Sequence, residues 1–198
     1  MSLGKAESQE LMNLVDRAMA RACSGLSDFV GSELKIESLS VSLEPAERLP
    51  SLFGGAETPV AAIYVPVNGM ISGHAVLFFD LDTAFTFLDC LFLQPQGTAG
   101  SFDPLHASAL CEVGNITASA FLSELADTTN LEILPSPPAF TADMVGAILN
   151  WLAPELFLWE AEVLVIKTNF IGTSQRLKGF FLFLPAPGSV EKILATLR

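Results

Sequence analysis

Each half of this chain contains one short run with almost no polar residue, Ala75-Val-Leu-Phe-Phe79 in the first and Phe180-Phe-Leu-Phe-Leu184 in the second. An apolar run of strand length that does not alternate belongs to a strand covered on both faces. Both runs close a pair of strand-like segments, and both lead through a turn into a short helical stretch. The elements before them repeat as well. A helix over residues 7–30, stopped by Gly31, precedes a strand over 35–43 whose alternation slips phase once. Residues 44–59, rich in Pro and Gly, read as a loop. Strands at 60–67 and 73–80 are joined at the turn-prone Asn68-Gly69, and a helix spans 83–93. Residues 94–101 form a linker. A second long helix then starts at Pro104 behind the capping residue Asp103 and runs to about residue 126. A strand at 130–134, a proline run, a helix at 141–152, strands at 157–170 and 176–184, and a helix at 189–197 complete the order. The economical account is a single domain, residues 1–198, made of two repeated halves at about 7–93 and 103–198. Hairpin-linked strands are antiparallel, so one continuous mixed or antiparallel α+β sheet is expected.

Composition removes several classes of function. Ten Lys and Arg against twenty-two Asp and Glu give a net charge of −12, which repels phosphate backbones and anionic membrane surfaces. Nucleic acid and membrane are therefore not expected partners. No apolar stretch reaches the ~18 residues that span a bilayer, and no leader-like start is evident, so the expected location is cytoplasmic. Cys23, Cys90 and Cys111 are widely spaced and form no C-x-x-C pair, which favours buried, reduced thiols. His74 and His106 share no metal-binding spacing with each other or with a cysteine, and no metal site is expected.

The second long helix carries the most specific signal. On a 3.6-residue turn, Ser108, Glu112, Asn115 and Ser119 fall in one narrow stripe, while Leu110, Val113, Thr117 and Phe121 fall on the opposite side. A carboxylate and a carboxamide thus stand one turn apart on a helix whose other side is apolar enough to fix it. An acid that grips a cation, beside an amide that holds a water, is suited to assisting hydrolysis on another molecule. The alternative is an ordinary solvated helix face.

The pattern Ser-x-x-x-Glu-x-x-Asn, followed after twenty-two residues by Pro, resembles the signature of the CheC/CheX/FliY family of chemotaxis phosphatases. Ser108, Glu112, Asn115 and Pro138 match it position for position. Leu134-Pro-Ser-Pro-Pro138, with Asp143-Met-Val-Gly-Ala-Ile-Leu149 after it, is similar to the segment following the second motif of CheC. The resemblance implies a pseudo-twofold CheC-like fold: one continuous, largely antiparallel sheet with two long helices on one face and shorter peripheral helices. It also implies a phosphatase that accelerates hydrolysis of the aspartyl phosphate of a CheY-like receiver domain. Glu112 would bind a receiver lysine and Asn115 would orient the attacking water. Ser108 and Ser119 would line the docking face, and Pro138 would shape the loop beside the helix. Magnesium would belong to the partner receiver domain, with no cofactor held by this chain.

Such proteins generally carry a motif on each of two equivalent helices. Laying the first helix over the second puts Asn13 at Glu112 and Asp16 at Asn115, with no proline near Leu39, the counterpart of Pro138. Asn13 makes no charged contact, and Asp16 would set a negative group against an anionic acyl phosphate. The first site is therefore read as degenerate. Two alternatives remain at this level. One is a catalytically weak module that docks a receiver domain or the CheD deamidase. The weaker one is a flagellar-switch role of the FliY type.

Overall fold

The computed structural model describes residues 5–157, 162–171, 176–186 and 188–196. Helix α1 (Lys5–Val30) is followed by β1 (Lys35–Pro45), a 3-10 turn (Ala46–Arg48), α2 (Leu49–Leu52), β2 (Pro59–Gly69), β3 (Gly73–Asp80) and α3 (Leu81–Leu91). The second half comprises α4 (Pro104–Thr129), β4 (Ile133–Pro135), β5 (Ala139–Met144), α5 (Val145–Phe157), β6 (Glu162–Ile171), β7 (Arg176–Pro185) and α6 (Ser189–Thr196). The strands form one sheet in the order β1-β6-β7-β3-β2, with β4 and β5 both on the outer side of β2, and every pairing is antiparallel. Exchanging β1 with β5, β2 with β6 and β3 with β7 leaves that order unchanged.

Side chains alternate between two cores. Ala61, Ile63, Val65, Leu77, Phe79, Leu164, Ile166, Phe181 and Phe183 meet α1, α3 and α4 on one face. Val60, Ala62, Val76, Phe78, Val163, Val165 and Leu182 meet α2 and α5 on the other. This is why the central strands read as unbroken apolar runs although the sheet is antiparallel. It also accounts for an apolar content of 51% that is absorbed by two interiors rather than spread over the surface.

The long helices lie side by side. Arg17 of α1 pairs with Glu124 of α4, and a Cβ placed on Gly25 would stand 2.9 Å from Ile116 Cγ2. Arg17 is thus level with Glu124 and Gly25 with Ile116, so the helices run antiparallel. Asp103 caps α4 by accepting the His106 N–H at 2.8 Å, and Asn130 ends it in the left-handed conformation at φ 53°.

Several sequence expectations shift. Residues 44–59 are not wholly loop, because β1 runs to Pro45 and the 3-10 turn and α2 follow, with Leu49 buried in the second core. The stretch expected to begin a helix at 141 is instead strand β5, paired to β2 in the register Ile63↔Phe140, and the helix starts at Val145. Edge pairing overrides a weak helical pattern there, helped by the Val145 N–H donating to Thr58 O. Strand β2 continues through Asn68-Gly69 because β4 pairs with it (Gly69↔Ile133), which moves the turn to residues 70–72. The phase slip in β1 is a bulge between Ile36 and Ser38. Phe157 ends α5 rather than opening a strand; residues 158–161 and 197, also included in expected elements, lie outside the described residues.

Helix α4 can sit this close to the sheet because residue 114 has no side chain. A Cβ on Gly114 would lie 2.3 Å from Ile63 Cγ2 and 2.9 Å from Ile63 Cβ. The second clash involves two atoms fixed by backbone position, so no rotamer change relieves it. Gly114→Ala gains about 1 kcal/mol of helix propensity but overpacks a filled site, at a cost of about 1–3 kcal/mol. Urea unfolding should show a lower midpoint with an unchanged slope; an unchanged or higher midpoint would contradict this packing.

Candidate functional site

The start of α4 is built rigidly. Phe102 is in ring contact with Phe85 of α3 (centroids 4.7 Å apart) and with Phe140 of β5 (5.0 Å). Buried Asp89 accepts the N–H groups of Gly97 and Ala99, both at 2.7 Å, and so ties down the linker that feeds the helix. His106 lies on the edge of this cluster, its Nδ1 3.0 Å from Ser101 O and its ring edge-on to Phe92.

On this support α4 turns Leu110, Val113, Thr117 and Phe121 into the core and leaves Ser108 and Glu112 exposed. Asn115 and Ser119, on the same outer stripe, are half-buried. Among the described residues, neither Glu112 nor Asn115 forms a side-chain hydrogen bond or ion pair, so both polar ends face outward without an intramolecular partner. Gly114 and Ala118 are buried against the sheet and serve packing.

Pro138 reaches this helix through Cys111, which the sequence analysis took only as a reduced thiol. The Cys111 thiol donates a weak hydrogen bond to the Pro138 carbonyl at 3.9 Å. Burial pushes the thiols of Cys23, Cys90 and Cys111 up, with the charge of Asp89 adding to the rise at Cys90. Cys111 therefore keeps its proton at neutral pH and acts as a donor rather than a nucleophile. Of the three cysteines only Cys23 is fully buried; the other two are half-buried, and all three are free thiols. The proline run is fixed on its other side by Asn68 Nδ2 donating to Ser136 Oγ at 2.8 Å and by the Ser136 N–H donating to Pro66 O at 2.8 Å. A signal for Cys111 was present: it is Glu112's neighbour, one turn before Asn115, on the side from which Pro138 approaches.

The first helix is arranged differently. Asn13 is half-buried and accepts a hydrogen bond from Gln9 at 3.1 Å, while Asp16 is exposed. Arg17 is directed across the seam, where it pairs with Glu124 and donates to Thr128 Oγ1 at 3.2 Å. Arg21 lies 3.8 Å from Glu124 and 3.6 Å from Asp127. The offset that lays Asn13 over Glu112 also lays Arg17 over Ile116 and Gly25 over Glu124. One end of the seam is thus an ion-pair network, and its counterpart is the apolar contact of Ile116 on Gly25. Asn13 is level with Thr128, so the two motif positions stand about 24 Å apart along the helix axis at 1.5 Å per residue.

A separate concavity of about 330 Å³ is lined by Tyr64, Phe140, Thr141, Asp143, Ile148 and Trp151, with no contribution from α4. Among the described residues, no three His, Cys, Asp or Glu side chains gather as a metal site would require, and no helix is long and apolar enough to cross a membrane.

The placement of the linker yields a test. Asp89→Ala leaves two N–H groups without an acceptor, each costing about 1–3 kcal/mol. Amide exchange at Gly97 and Ala99 should accelerate and the melting temperature should fall. Unaltered exchange at both amides would show that Asp89 does not hold the linker.

Comparison with known proteins agrees with this geometry. The profile of the CheC-like family matches residues 105–141, from the first turn of α4 through the start of β5. The chain is 29% identical over 198 residues to the CheY-P phosphatase CheC of Bacillus subtilis, covering 98% of this chain and 95% of that protein. The crystal structure of Thermotoga maritima FliY shares the fold with a TM-score of 0.78 at 17% identity, covering 100% of this chain and 98% of the other. CheX in the CheX–CheY–BeF3–Mg complex of Borrelia burgdorferi matches with a TM-score of 0.55 at 19% identity over 87% of this chain and 97% of its own. In its helix motif, in a relative spanning nearly the whole chain and in its fold, this chain is similar to the CheC-like family.

Proposed function

We propose that this protein accelerates hydrolysis of the aspartyl phosphate on a CheY-like receiver domain, through one site formed by Glu112 and Asn115. The observation that carries this reading is the pair itself: two polar groups on the outer stripe, one turn apart, with no side-chain partner among the described residues, on a helix held by Asp103, Phe102 and Gly114. Side chains already engaged would have to be released before they could serve a partner; these are available as they stand. The relative named as a CheY-P phosphatase and the CheX–CheY complex support a receiver domain as the substrate.

In this reading the phosphoryl group and its magnesium ion belong to the receiver. Glu112 forms an ion pair with a receiver lysine and so fixes the two proteins in register. Asn115 enters the phosphorylation pocket, where its amide holds a water in line with the phosphorus. No general base is required of this chain, because the gain comes from positioning. Pro138, braced by Cys111, walls the site beside Asn115, while Ser108 and Ser119 extend the docking stripe. Asn13 and Asp16 take no part.

Asn115→Ala should lower the dephosphorylation rate by on the order of 10²-fold or more with an unchanged circular dichroism spectrum. A variant with the wild-type rate would remove Asn115 from the site. Glu112→Ala should weaken binding to a beryllofluoride-activated receiver and slow turnover as well. Surface plasmon resonance checks the first effect, and unchanged affinity together with unchanged rate would exclude Glu112.

A further inference from the structure

The polar stripe of α4 begins one turn earlier than its motif. Position 105 precedes Ser108 by three residues, so Leu105, Ser108, Glu112, Asn115 and Ser119 follow one helical row. Leu105 is 62% exposed in the first turn of the helix, about 10 Å along the axis from Glu112 at 1.5 Å per residue. A lone exposed leucine means little, but three features set this one apart. It continues the row that bears Glu112 and Asn115. Its helix end is fixed by the Asp103 cap and the Phe85–Phe102–Phe140 ring cluster, so little freedom is lost when a partner covers it. Across the seam, Phe29 is level with Glu112 and is 39% exposed, a second large apolar group at the same end. The opposite end of the seam is closed by the ion pairs of Arg17, Arg21, Glu124 and Asp127.

Charge selects the kind of partner. Helix α4 has no lysine or arginine, and neither has α1 beyond Arg21. Exposed Asp28, Asp103 and Glu112 surround the apolar positions. The complementary surface is an apolar side chain ringed by lysine or arginine, an apolar contact within a charged rim.

We propose that Leu105 is a docking residue that packs against an apolar side chain at the rim of the receiver domain's phosphorylation pocket. It sets affinity for the phosphorylated receiver, while Asn115 acts on the reacting group. This rests on the reading of Glu112 and Asn115 given above. The row makes Leu105 the far anchor of the footprint, with the Glu112–lysine ion pair at its middle and Asn115 beyond it.

The test compares wild type, Leu105→Ser and Leu105→Met in phosphate release from a receiver domain kept phosphorylated by a small-molecule phosphodonor. Leu105→Ser should raise KM roughly tenfold, equivalent to about 1.4 kcal/mol, with kcat within about twofold of wild type. Leu105→Met should restore KM, and the unfolding midpoint should not move. An unchanged KM, or a fall in kcat alone, overturns the proposal. Sedimentation of each protein alone adds a further arm: loss of a wild-type dimer in Leu105→Ser would assign the residue to self-association and overturn it too. If wild type accelerates no receiver, the phosphatase reading fails separately. Calorimetric binding to the beryllofluoride-activated receiver then decides about Leu105, since equal affinity of wild type and Leu105→Ser overturns its docking role.

Discussion

The seating of α4 on the sheet at Gly114 and Ile63 is the contact on which the site depends. Only a residue without a Cβ lets the helix backbone come this near Ile63. That approach turns Val113 and Thr117 into the core and, by helical geometry alone, turns Glu112 and Asn115 outward. The same seating brings Cys111 to the Pro138 carbonyl, so the proline run becomes a wall beside the stripe. The Asp103 cap, the three-phenylalanine cluster and the linker held by Asp89 fix how the helix begins. Outward polar groups on a helix are commonplace; this helix is distinguished by being braced at its start, against the sheet and along its flank.

The two halves share a framework but differ in chemistry. The sheet order is unchanged when first-half strands are exchanged for their second-half counterparts, and the helix seam obeys the same exchange. Where the second half sets Ile116 against Gly25, the first sets Arg17 against Glu124. Exposed surface ion pairs contribute little stability, commonly about 0–1 kcal/mol, so the network's main consequence is to occupy the seam with charge. Asn13 is engaged by Gln9, and Asp16 carries the wrong sign for an anionic phosphoryl group. In our reading one framework therefore supports a working face at one end and a closed one at the other.

Much of this was legible in the sequence because it depends on local rules. The caps and periodicity of α4 gave its core side and its stripe, and the two uninterrupted apolar runs announced strands covered on both faces. The parts that were not legible arise from long-range pairing. Strand β5 is stabilised by β2 rather than by its own alternation, β2 outruns its Asn-Gly pair because β4 adds to it, and α2 is held by burying Leu49 in the second core. Cys111 was given no part in the site because a lone cysteine carries no pattern of its own, and Leu105 was left out because the stripe was counted from its polar members.

The most direct measurement is phosphate release from a phosphorylated receiver domain by two double variants compared side by side, Asn13→Ala/Asp16→Ala and Glu112→Ala/Asn115→Ala. A single working site on α4 predicts that the first stays within about twofold of wild type, since exposed substitutions usually shift stability by only about 0.5 kcal/mol, and that the second falls to the receiver's own rate. A large loss in the first variant, or retained acceleration in the second, would contradict the account.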